Sequence, residues 1–148
     1  MTNEKKDTIS VSRVIAAPPE SIFAILKDAR RHQEIDGSGQ IKGTVDAPES
    51  LELGSKFAMT IQQGVPYRTY SKVIEFDENK TIAWTHIGKH IWKYELKDQG
   101  DRTTLVTESW DWSTCPPWER AGLQLMKYPS RNAQSMTKTL ERLATIVE

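Results

Sequence analysis

A single cysteine, Cys115, stands in a chain of 148 residues. One thiol excludes an internal disulfide and every zinc pattern built from several cysteines. Net charge is missing as well, because twenty Lys and Arg are balanced by twenty Asp and Glu. Charges of both signs are interspersed, with no long basic or acidic run, so nothing draws a nucleic-acid backbone or an anionic membrane. No window approaches the roughly 20 apolar residues of a membrane span. The polar stretch Met1 to Thr8 is not followed by an apolar core of signal-peptide length. A soluble, cytoplasmic protein with no nucleic-acid partner and no stable membrane association is the expectation; the oligomeric state is left open.

Chemical motifs are scarce too. The chain holds no Ser-His-Asp arrangement and no nucleotide fingerprint. Asp36-Gly37-Ser38-Gly39 has the glycines of a phosphate loop but neither the following lysine nor a strand-to-helix setting, and reads as a turn. His86, His90 and Glu108 would make a two-histidine, one-carboxylate metal set. The histidines straddle a turn rather than share a helix face, so neither metal nor cofactor is expected. Cys115 lies in Ser113-Thr114-Cys115-Pro116-Pro117 and reads as an ordinary inert loop cysteine; a thiol made reactive by a following helix, which would lower its pKa, is the minor alternative. Linkers, repeats and low-complexity segments are absent. Residues 1–148 read as one domain, with 1–7 a flexible tail, long enough to bury about two-thirds of its unfolded surface.

What the chain does have is aromatic bulk at alternate positions. Trp84-Thr85-His86, Trp92-Lys93-Tyr94 and Trp110-Asp111-Trp112 each place two large rings two residues apart. In a strand such pairs point to one side of the sheet. A face this bulky needs a cover, either a packed core or a cavity that holds something apolar. Trp84 and Trp92 share that face only if the turn between them has an odd number of residues. With Ile87-Gly88-Lys89 as the loop, Trp84 opposes Trp92 and His86 opposes His90; a two-residue loop would put them on opposite faces. The odd loop is expected because it gathers the rings.

The element order follows from the spacing of apolar residues. Thr8 to Ala16 alternates as a strand, with Ile9, Val11 and Ile15 on one face. Pro18-Pro19-Glu20 ends it and opens a helix whose stripe is Ile22, Phe23 and Leu26. A second short helix is read over Asp28 to Ile35. Six strands come next, over 40–45, 56–63, 66–76, 81–86, 90–97 and 102–112, with turn residues between them. Their short connections require antiparallel pairing. From Pro116 the period is helical, with Trp118, Ala121 and Leu125 on one face. Pro129 interrupts it, and a longer helix begins near Ser130 with Ala133, Met136, Leu140, Leu143 and Val147 as its stripe. That helix is the only element long enough to cover the aromatic face.

The run Ile9 to Phe23, with Ala16-Ala17-Pro18-Pro19-Glu20 between strand and helix, resembles the START-like superfamily, as does Trp110-Asp111-Trp112 late in the last strand. Within that superfamily the chain is similar to the polyketide cyclase/dehydrase and lipid-transport group over nearly its whole length. The resemblance implies an α+β helix-grip fold. About seven curved antiparallel strands would wrap a long C-terminal helix, with two short helices after strand 1 and a deep cavity inside. It implies a pocket for a hydrophobic ligand and leaves the activity open, since one fold hosts many activities.

The expected pocket is bounded by Met59, Ile61, Trp84, Trp92 and Tyr94 from the strands, with Trp110 beyond them. Tyr128, Asn132 and Met136 face it from the helical side, and Pro129 would bend the cover and leave an entrance. His86 and Tyr70 belong to the same wall; Tyr67 shares the strand of Tyr70, and one tyrosine of the strand is expected to point inward. His32 and Glu34 are expected in solvent. Glu108 shares the parity of Trp110, so a carboxylate falls on the aromatic face. A bulge that switches the parity, an ion pair with Arg68 or a histidine, and a polar or acid/base role in the pocket all fit. The leading expectation is a carrier or sensor of a small apolar, lipid-like or aromatic molecule. The rivals are a cyclase, dehydrase or aromatase acting through Glu108, His86 or Arg68, and a protein-interaction module using an exposed sheet surface.

Overall fold

The computed structural model describes residues 7–86 and 89–148. The chain runs β1 (Thr8–Ile15), α1 (Pro19–Leu26), a single 3-10 turn (Ala29–Arg31) and α2 (His32–Ile35). It continues through β2 (Ile41–Asp46), β3 (Lys56–Gln63), β4 (Val65–Asp77), β5 (Thr81–His86), β6 (His90–Gly100) and β7 (Thr103–Asp111). Two helices close it, α3 (Pro117–Leu125) and α4 (Tyr128–Val147). All seven strands form one antiparallel sheet in the order β1-β7-β6-β5-β4-β3-β2. This is the helix-grip architecture, an α+β fold in which the sheet wraps the long C-terminal helix. Irregular pairing in β2, and between Val73 and Glu75 where β4 meets β5, gives the sheet places to bend.

Strand parity decides what faces inward. In β4 Thr69, Ser71 and Val73 are buried and Tyr70 is 64% exposed; in β7 Thr104, Val106, Glu108 and Trp110 are buried in unbroken alternation. No bulge intervenes, so Glu108 stays on the aromatic face. The core lies at the end of the sheet covered by α1 and the C-terminal half of α4. There Ile22, Phe23 and Leu26 meet Leu140, Leu143 and Ala144 over Ile82 and Val106. Hairpin geometry is set locally. Asp101 and Arg102 both hold positive φ, of 52° and 58°, as a two-residue turn between right-twisted strands requires.

Two helical expectations are corrected, on Pro129 and on His32, and one apolar helix face is left uncovered. Pro129 neither interrupts nor bends the last helix. It sits in the first turn of α4, where its missing N–H costs nothing, and Lys127 in the left-handed region (φ 60°), not Ser130, occupies the cap position. The stripe of α3 is not buried: Trp118 and Leu125 are 77% and 84% exposed. His32 is not in solvent but buried at the head of α2, whereas Glu34 is exposed and pairs with Arg31. Of the expected N-terminal tail, Met1 to Lys6 lie outside the described residues. Asp7 is tied down: its carbonyl accepts the Trp112 N–H and its carboxylate pairs with Arg120 at 3.2 Å. No described helix is long and apolar enough to cross a membrane.

Gly37 fixes how α4 sits on the sheet. Its N–H donates to Thr139 Oγ1 at 2.9 Å, and Arg142 donates to the carbonyl of Asp36. A Cβ built on Gly37 would stand 2.1 Å from the Ser135 carbonyl oxygen and 2.7 Å from the Thr139 nitrogen, both backbone atoms. Neither can swing aside as a side chain would, so Gly37→Ala is expected to lose about 1–3 kcal/mol by forcing α4 away from the turn. Urea denaturation reads this, and an unchanged midpoint would show that the close approach carries no weight.

Candidate functional site

The inner face of the sheet is a grid of cross-strand rungs. His86 opposes His90; Trp84 opposes Trp92, which opposes Trp110; Ile82 opposes Tyr94, which opposes Glu108. The register places Trp84 and Trp92 on one face, as the odd loop requires, although Ile87 and Gly88 themselves lie outside the described residues. On the other flank Phe57 pairs with Ser71, Met59 with Thr69 and Ile61 with Tyr67. Between this grid and α4 lies a cavity of about 530 Å3. That volume is in the range of small-molecule sites.

The rungs differ in how they are filled. Trp110 is fully buried, stacks on Trp112 with centroids 4.5 Å apart, and donates its indole N–H to His90 Nδ1 at 3.1 Å. Trp84 and Trp92 are only half-buried and line the cavity. His32 stacks on Trp84 at 4.9 Å and 20°, and its Nε2 donates to the Leu26 carbonyl at 2.7 Å. Burial lowers the pKa of His32, so the ring is held neutral and braces Trp84 from behind. Burial also lowers His86, to about 4, with His90 adding to the effect.

Glu108 is the chemical oddity of the cavity. Its Oε2 accepts a hydrogen bond from Tyr94 Oη at 3.0 Å, while Oε1 is buried and has no partner among the described residues. Burial pushes the carboxyl up from its ordinary 4.5 to about 8, and the negative charge of Asp36 acts in the same direction; the tyrosine hydrogen bond opposes both. Glu108 is therefore an uncharged acid at neutral pH. Burial and the adjoining carboxyl also push the Tyr94 phenol well above its ordinary range.

A family model for polyketide cyclase/dehydrase and lipid-transport proteins matches residues 6–148. The chain belongs to that family. The activities its description combines share a small hydrophobic or polyketide-like molecule held within the fold. An uncharacterized protein of Mycobacterium tuberculosis, Rv0088, is 34% identical over 140 residues, covering 92% of this chain and 62% of that protein. The chain thus spans about three-fifths of the length of the curated relatives it matches. Among solved structures, protein NE0264 from Nitrosomonas europaea gives a TM-score of 0.71 at 15% identity, covering 96% of this chain and 94% of that one. The aromatase/cyclase Zhui, from a Streptomyces species, gives 0.70 at 12% identity with 95% of each chain covered. At these identities the likeness is one of fold.

Most residues expected at the site line this cavity: Met59, Ile61, Trp84, His86 and Trp92 do so, as do Tyr94, Trp110, Tyr128, Asn132 and Met136. Tyr70 and Arg68 do not. Both have the outward parity of β4 and are exposed, and the tyrosine that points in is Tyr67. Arg68 therefore cannot pair with Glu108, and neither does a histidine; the partner is Tyr94. The metal set is not assembled either, since His90 and Tyr94 are four residues apart along β6, about 13 Å, and Glu108 lies opposite Tyr94. Among the described residues His90, Cys115 and Glu119 do bring possible ligand atoms within 4.8 Å of one another. Their chemistry is committed elsewhere. His90 Nδ1 accepts from Trp110, Lys89 Nζ sits 3.0 Å from Glu119, and Cys115 is buried with its pKa raised. Residues missed from sequence include His32, Asp36 and Phe57. Parity with Met59 and Ile61 would have found Phe57; a four-residue helix carries too little periodicity to have found His32.

Proposed function

We propose that this chain binds a small, flat, largely apolar molecule between the sheet and α4, and carries, sequesters or senses it in the cytoplasm. The observation behind this reading is the cavity, about 530 Å3 of space walled by the half-buried rings of Trp84 and Trp92 rather than filled by them. Burying an aromatic ligand there would yield ~25 cal/mol per Å2 of apolar surface. Titration of the intrinsic tryptophan fluorescence with polycyclic aromatics and fatty acids should give saturable quenching. Ser71 is a small side chain on the cavity wall, so Ser71→Phe should weaken that binding at least tenfold while the fold is kept. Saturation by no compound of the panel, or binding indifferent to Ser71→Phe, would sink the reading.

A second reading, a cyclase, dehydrase or aromatase, is favoured by the uncharged acid of Glu108 inside the cavity. Turnover of a bound polyketide-like compound that disappears in Glu108→Gln would support the enzyme over the carrier.

A further inference from the structure

Resting on the reading of the cavity as a ligand site, we propose that Glu108 is its hydrogen-bond donor, holding a proton on Oε1 for the carbonyl oxygen of an uncharged ligand. The two carboxyl oxygens are in different situations. Oε2 is occupied by the Tyr94 hydroxyl at 3.0 Å, whereas Oε1 is buried without a partner among the described residues. A buried carboxylate with one bare oxygen is costly, and the usual remedy is a cation. None is supplied: Glu108 takes part in none of the ion pairs among the described residues.

The groups facing it point the same way. From β6 comes the Tyr94 hydroxyl, already donating, and from β1 comes Val11, opposite Glu108. The turn after α2 contributes the carboxylate of Asp36, whose charge further disfavours a second anion. Across the cavity α4 presents Met136, Thr139 and the cations Arg131 and Lys138, neither of which forms an ion pair with Glu108. The Thr139 hydroxyl is taken up by the Ser135 carbonyl and the Gly37 N–H. A proton on Oε1 converts the bare acceptor into a bare donor, which in turn lacks an acceptor from the protein. The ligand must bring it. An anionic group placed at Oε1 would feel the charge of Asp36, which acts on Glu108, whereas the cations of the cavity lining, Arg131 and Lys138, do not act on it. A cationic group would strip the proton and form an ion pair instead. An uncharged ketone or quinone on an aromatic frame satisfies the donor and matches the tryptophan walls.

Fluorenone and fluorene test this, because they share one tricyclic frame and differ in a single carbonyl. Both are titrated into the wild-type chain, Glu108→Gln and Glu108→Leu at about pH 6 and about pH 10, either side of the carboxyl's value near 8. Wild type should prefer fluorenone about tenfold at the lower pH and lose that preference at the higher one. The ketone stretch of bound fluorenone should move to lower frequency in step. Glu108→Gln, whose amide still donates, should keep the preference at both pH values; Glu108→Leu should bind both compounds equally. If Glu108→Leu fails to fold, the glutamine variant and the ketone stretch still decide. Equal binding of both compounds by wild type at about pH 6 would overturn the donor role and leave the cavity reading standing. Binding of neither would overturn both.

Discussion

Glu108→Gln should make this protein more stable at neutral pH by roughly 3 kcal/mol, an unusual sign for a change at a buried site. The folded chain holds the Glu108 carboxyl near 8, against an ordinary value of 4.5. Between those two values the folded state keeps a proton that the unfolded state has released, so stability falls as pH rises. The contribution is intact below 4.5, declines through the interval, and is lost once pH passes about 8. At pH 7 some two and a half units of the interval have been crossed, and about 1.4 kcal/mol per unit gives the figure above. Glutamine removes the titration while its side-chain oxygen still accepts from Tyr94. Urea denaturation at a series of pH values would show wild type losing stability from acid to neutral pH relative to the variant. The depressed His32 titrates in both proteins, so it cancels from the difference. Parallel pH profiles for the two proteins would mean that the carboxyl is not held protonated.

Glu108 also marks the limit of what the amino-acid order reveals. Its inward facing follows from parity with Val106 and Trp110, a property of one strand that alternation makes legible. Its partner is a matter of register. Tyr94 opposes Glu108 through the hairpin of β6 and β7, whose turn lies at Asp101 and Arg102. The string Asp98 to Asp101 reads as the turn from composition, yet β6 continues through Gly100, and a shift of that size changes which residues face each other. The same dependence separates Tyr67 from Tyr70: both are good strand residues, and only the register of β3 with β4 selects the first. The Trp84–Trp92 register is only half legible. One short loop controls it, two loop lengths fit the residues, and the odd one, which the register bears out, is preferred because it gathers the rings. Helices behaved differently. The stripe of α4 is legible over its whole length, but Trp118 and Leu125 on α3 have the same spacing and remain exposed. Periodicity gives a helix an apolar face; whether another element covers that face is decided by the rest of the fold.

The aromatic rung itself should divide into a structural half and a binding half. Trp110 is 1% exposed, stacked on Trp112 and bonded to His90, so Trp110→Ala removes a buried ring and leaves His90 Nδ1 without its donor. A loss of about 3–5 kcal/mol in denaturation experiments is expected, enough to unfold a marginal domain at moderate temperature. Trp92 stands next to it, 6.0 Å away by ring centroids, but it is half-buried and one side faces the cavity. Trp92→Ala therefore forfeits fewer packing contacts and should cost clearly less stability, while weakening capture of an aromatic ligand more than any loss of fold explains. Trp110→Phe, which keeps a ring but no N–H, separates packing from the hydrogen bond; most of the stability should return with it. If Trp92→Ala proved as damaging to the fold as Trp110→Ala, and left ligand capture unchanged in whatever remained folded, the whole rung would be core. The cavity beside it would then be a packing defect rather than a site.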